Sequence, residues 1–177
     1  MTPRLYGIMA EFDRPEDVVA AAHNARQAGF TRMDAYTPMP VHGLDEALGL
    51  GPTKLPWIVL AGGILGCIGG FSLLYWIAVH AYPLNIGGKP LNSWPAFIPI
   101  TFEITILGAA FAAVFGMLAL NGLPRPYHPV FNSPRFKLAT RNRFFLCIEA
   151  HDPKFDTDKT RLFLEQQHAR GVEEVEF

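Results

Sequence analysis

Cysteine is scarce in this chain: Cys67 and Cys147 are the only two in 177 residues, and they stand far apart. Two such residues make no disulfide framework, no Cys-x-x-Cys-His haem-attachment motif occurs, and no Cys/His grouping has zinc spacing. A charge imbalance is also missing. Fifteen basic and sixteen acidic residues give a net charge of −1, which excludes the broad basic field of a nucleic-acid binder. Gly87-Gly88-Lys89 lacks the Gly-x-x-x-x-Gly-Lys-Ser/Thr spacing of a phosphate loop. No signal peptide is visible, because the first fifty residues are polar and mixed.

The most informative absence is local. From Trp57 to Val79 there is no charged side chain, and from Trp94 to Leu120 there is one, Glu103. At a helical rise of about 1.5 Å per residue the first stretch spans about 34 Å, enough for a hydrocarbon core of about 30 Å. The loop His80–Ser93 joins the two, so they read as a transmembrane helical hairpin (residues 55–80 and 94–121, with loop 81–93) that drives its own insertion. Lys54 precedes the first span and Arg125, Arg135, Lys137, Arg141 and Arg143 follow the second, whereas the loop carries only Lys89. Positive residues favour the cytoplasmic side, which predicts an inner-membrane protein with both termini inside and the loop outside. Trp57, Tyr75, Trp76, Tyr82 and Trp94 fall near the expected boundaries, as interfacial aromatics do.

The polar flanks share one plan. In the first (1–45), the strand-like run Leu5–Phe12 precedes Asp13-Arg14-Pro15-Glu16, a predicted capping box. A helix follows to about Ala28, stopped by Gly29, and then a strand over Phe30–Tyr36. In the second (143–177), a strand over Arg143–Ala150 leads to a turn with a cap at Asp152–Asp156. A helix over Thr157–Arg170 and a last strand, Val172–Phe177, complete it. Two strand–helix–strand units predict a ferredoxin-like α+β domain, an antiparallel four-stranded sheet with two helices on one face, split by the membrane hairpin. Neither two-stranded half buries enough apolar surface to stand alone. The proline-rich stretch 122–142 reads as a stiff stalk.

Within the hairpin, Gly62, Gly66 and Gly70 are four apart, and Gly108, Ala112 and Gly116 repeat the spacing. Small residues at that interval let helix backbones approach closely, which predicts helix packing through these six positions. If those faces meet, Glu103 lies about 140° from Gly108 around its helix and points away from the partner span. An ionisable group inside a span is a functional suspect, so Glu103 is a candidate for proton or quinone chemistry or for an interface carboxyl. His80 has no inward-facing histidine partner for haem and is expected to be an interfacial polar cap; Cys67 is expected to be a small packing residue.

Three segments carry a resemblance: Leu5–Phe12, Tyr82–Phe97 and Ile100-Thr-Phe-Glu103. With the split soluble domain around a two-helix hairpin, the whole chain resembles the D subunit of alternative complex III, a bacterial quinol:electron-acceptor oxidoreductase of the respiratory chain. The resemblance implies an accessory membrane subunit without catalytic residues or cofactors of its own. It would pack beside the large membrane subunits where quinol is oxidised, with haem and iron–sulfur clusters in partner subunits that include multihaem cytochromes. Competing readings of the same layout are a small membrane-anchored sensing or regulatory protein and an assembly chaperone. No glycine-rich ligand loop or charged cluster in the soluble half favours the sensor.

Overall fold

The computed structural model describes residues 5–177. They form two compact units, one from the described residues up to Gly51 together with Pro126–Phe177, the other from Pro52–Arg125.

The first unit is a four-stranded antiparallel sheet in the order β2-β3-β1-β4, built from β1 (Leu5–Phe12), β2 (Met33–Tyr36), β3 (Phe144–Glu149) and β4 (Gly171–Glu176). In chain order the second unit lies between β2 and β3. Because β1 is central, both of its faces are buried from Gly7 onward, and it reads as an apolar run without alternation. Ile8 opposes Ile148, Ala10 opposes Leu146 and Phe12 opposes Phe144 on one face. That face packs on α1 (Pro15–Ala28), α2 (Leu44–Leu48) and α5 (Thr157–Glu165) through residues such as Val18, Ala22, Leu48 and Leu164. On the other face Met9, Phe145, Cys147 and Val175 are covered by Val130, Phe136 and Ala139. These covering residues come from two 3-10 turns, Pro129–Asn132 and Phe136–Thr140. Thus much of the proline-rich stretch expected to be a stalk closes the second face of the sheet.

Several boundaries differ from expectation, each for a local reason. The N-cap of α1 is Arg14 and makes no side-chain cap, with Pro15 opening the helix. The predicted capping box does not form, because the Asp13 carboxylate is taken by Arg143 and Arg170. Strand β2 starts at Met33 instead of Phe30. The backbone N–H groups of Thr31 and Arg32 donate to Asp152 Oδ2 at 2.6 and 2.7 Å, which withholds them from a ladder. Helix α5 stops at Glu165, well short of Arg170. His168 has φ 59°, and the Arg170 N–H already donates to the Glu11 carbonyl at 2.8 Å. The cap at the other end of α5 forms as expected, Asp156 Oδ1 accepting from the Lys159 N–H at 3.0 Å. Helix α2 has no counterpart in the sequence reading; Leu44, Ala47 and Leu48 bury its apolar side.

The second unit is a pair of long helices, α3 (Leu55–Trp76), continued by a π-helical turn over Ile77–Ala81, and α4 (Trp94–Leu120). Both are long and apolar enough to cross a membrane. They pack against each other in antiparallel order, Gly62 near Ala112 and Gly70 near Ile104, with Phe71 and Phe97 meeting edge to face at 6.0 Å.

Candidate functional site

The structure brings the small residues of the two long helices together. A methyl group on Gly66 would sit 2.6 Å from the Ile104 carbonyl oxygen, and one on Gly108 would sit 2.7 Å from that of Gly62. Ala112 closes against Gly62. Gly70 is filled by Ile104 and Gly116 by Ile58 and Leu55, so at these two positions a branched side chain occupies the space that glycine leaves. Only glycine permits this approach of backbone to backbone. Gly69, by contrast, has nothing within 4 Å of where its Cβ would lie.

Glu103 is exposed, while Thr101, Ile104 and Thr105 of the same helix turn inward to partial or full burial. Thr105 Oγ1 donates to the Thr101 carbonyl at 2.7 Å. His80 lies in the π-helical turn, its ring 5.8 Å from that of Tyr75 and exposed. Cys67 is exposed as well, so within this chain it is not the packing residue expected. Among the described residues no group of three or more His, Cys, Asp or Glu side chains is gathered to hold a metal ion.

In the sheet unit the structure assembles a charged cluster that the sequence reading did not find. Glu11 is 3% exposed on β1, on the face carrying Met9 and Val175. Arg135 reaches it with two parallel hydrogen bonds, Nε to Oε2 at 2.6 Å and Nη2 to Oε1 at 2.8 Å. Arg143 Nε lies 3.4 Å from Glu11 Oε1 and also pairs with Asp13, and Arg170 Nη1 donates to Asp13 Oδ1 at 3.1 Å. The Arg135 hydrogen bonds hold the Glu11 carboxyl below its ordinary range against the opposing effect of burial, with help from Arg143 and Arg170. Both carboxylates come from before the apolar helices and all three guanidiniums from after them. The one sequence signal was a lone charge inside the apolar run Gly7–Phe12.

A second junction is Asp152, buried in the turn after β3. Burial disfavours its charge, but the N–H groups of Arg32, Thr31 and Lys154 outweigh this and depress its pKa. On the face carrying Met9, the Tyr6 hydroxyl donates to Glu149 Oε1 at 3.3 Å and lies 3.4 Å from His128 Nε2. Burial pushes the Tyr6 phenol up, and it pushes the Cys147 thiol up to about 12, which leaves that cysteine unreactive. These contacts tie the two sequence halves together, joining residues that precede the long helices to residues that follow them.

No curated protein gives a significant match to the chain. Residues 6–174 match the family model for the ActD subunit of alternative complex III, nearly the whole length. The chain therefore belongs to the ActD subunit family of alternative complex III.

Proposed function

We propose that the chain is a cofactor-free accessory subunit that braces the membrane sector of a quinol-oxidising complex through its glycine-lined helix pair. Membership in alternative complex III makes it a component of an electron-transport assembly whose other subunits are its partners. Together with the two long apolar helices, that membership points to a membrane protein. The strand order β2-β3-β1-β4, with helices packed on one face, supports a ferredoxin-like reading of the sheet unit. The distribution of Lys and Arg around the spans supports an inner-membrane topology with both termini cytoplasmic.

The exposure of Glu103 carries the proposal. A carboxyl facing lipid at this depth costs a few kcal/mol, so the side of α4 bearing it is covered by a large membrane subunit near the site of quinol oxidation. A photo-cross-linking residue at position 103 of the intact complex tests this. Adducts with a membrane subunit are expected, and recovery of lipid adducts alone sinks the reading. Glu103→Gln separates the two roles of the carboxyl. Slowed quinol oxidation in an assembled complex gives it a part in proton or quinone chemistry, and unchanged turnover leaves it an interface group.

A further inference from the structure

On the outer side of α1 an open cleft of about 800 Å³ runs between that helix and the segment 39–47. Val19, Ala20, Met39, Val41 and Ala47 give it apolar walls, and Glu16 and Glu46 stand at its edge with His23 and His42. Asp17 and Asp45 sit beside the two glutamates, in the same first helical turns of α1 and α2. None of these four carboxylates forms an ion pair among the described residues, whereas Glu11, Asp13, Glu165 and Glu174 each meet an arginine. Among the described residues no lysine or arginine lines the cleft.

We propose that this cleft receives a segment of a partner polypeptide that presents apolar side chains flanked by lysine or arginine. Its walls offer apolar area that is otherwise left to water. Met39, 53% exposed, supplies an unbranched and adaptable wall of the kind that suits a docked helix or strand. Charge decides the class of occupant. Helix N-termini tolerate the four carboxylates, but none of them has a counter-ion among the described residues. A basic segment supplies counter-ions at the rim, where little desolvation is required, while its apolar residues fill the floor. Anionic headgroups, nucleotides and acidic peptides meet uncompensated repulsion.

The proposal concerns the sheet unit and is independent of any role for Glu103. Its test uses the intact complex in mild detergent, with a photo-cross-linking residue placed in turn at Ala20 and at Met39. The expected result is a covalent adduct with one partner polypeptide, mapped to a stretch with lysine or arginine within a helical turn of the linked residue. The double variant Glu16→Lys/Glu46→Lys should lower adduct yield about tenfold, as should high salt. Asp158→Lys, an exposed charge on α5, should leave the yield unchanged. Should the lysine variant misfold by circular dichroism, Glu16→Gln/Glu46→Gln replaces it, with a loss of about threefold expected. The proposal is overturned by adducts to lipid or to an acidic or uncharged segment, by no protein adduct at either position, or by yields that ignore the rim charges.

Discussion

Glu11 and Arg135 lie 124 positions apart in the chain and meet through two hydrogen bonds of 2.6 and 2.8 Å, the carboxylate buried and the guanidinium half exposed. A fork-shaped donor matched to a planar acceptor is among the stronger polar contacts a protein makes. Here it joins the first strand of the chain to the segment that covers the far face of the sheet.

Removing the guanidinium takes away the two shortest hydrogen bonds of a buried carboxylate. Glu11→Ala leaves Arg143 and Arg170 paired with Asp13 and a half-exposed Arg135 that water rehydrates, whereas Arg135→Ala leaves the buried carboxylate only the longer contacts to Arg143 and Arg170, at 3.4 and 3.9 Å. Arg135→Ala is therefore expected to lower stability by more than the loss of an ion pair exposed on both sides does. Denaturant titration of the full chain in detergent, followed by circular dichroism, checks this. An unchanged transition midpoint would reduce the pair to a surface ion pair.

Acid should weaken the sheet unit through two carboxylates. Glu11 and Asp152 both titrate below their ordinary values of 4.5 and 3.8 when folded. A depressed folded pKa means that the unfolded chain binds the proton first. The stabilisation is full above the unfolded values and drains away as pH falls through them toward the folded ones. Asp152→Asn keeps the shape and removes the charge, so its stability should be lower at neutral pH and flatter below pH ~4.5. Melting temperature against pH distinguishes this from a variant that loses stability equally at every pH.

The glycines of the helix pair are unequal. Gly66→Val drives a branched side chain into the Ile104 carbonyl and Thr105 backbone and should separate α3 from α4. Gly69→Val places the same side chain in open space and should leave their spacing unchanged. Disulfide trapping between cysteines placed at positions 63 and 109, where the two Cβ atoms would lie 3.7 Å apart, reads the spacing directly in a background lacking Cys67 and Cys147; equal trapping in both variants would contradict the packing.

Thiol chemistry offers an independent probe of the sheet. Cys147 is buried with its thiol pushed up to about 12, so in a Cys67→Ser background labelling at pH 8 should wait for unfolding. Its rate in Arg135→Ala should rise with the loss of stability measured by denaturant. Rapid labelling of the folded chain would place Cys147 at the surface.

Residues 5–12 were legible as a strand, and the long helices were legible from their lack of charge, because both signals are local. The partners of Glu11 were not, since the sequence shows a lone acid in an apolar run and three arginines scattered over residues 135–170. The segment 126–142 was hidden for another reason. Its prolines announce a spacer, yet Val130, Phe136 and Ala139 occupy the one face of the sheet that the helices leave bare. Helix α5 was overdrawn because Gly171 resembles a helix stop, whereas it opens β4. The direction of Glu103 followed only on the condition that the small faces meet, a condition no single helix can report.

The ladder order carries a consequence for biosynthesis. Strand β1 hydrogen-bonds to β3 and β4 and not to β2, so the residues made first hold no sheet pairing among themselves. The ribosome must finish both apolar helices before either early strand can meet a mate. Translation therefore completes both long apolar helices while β1 and β2 still lack neighbours, and β1 gains its second neighbour only once β4 has been made.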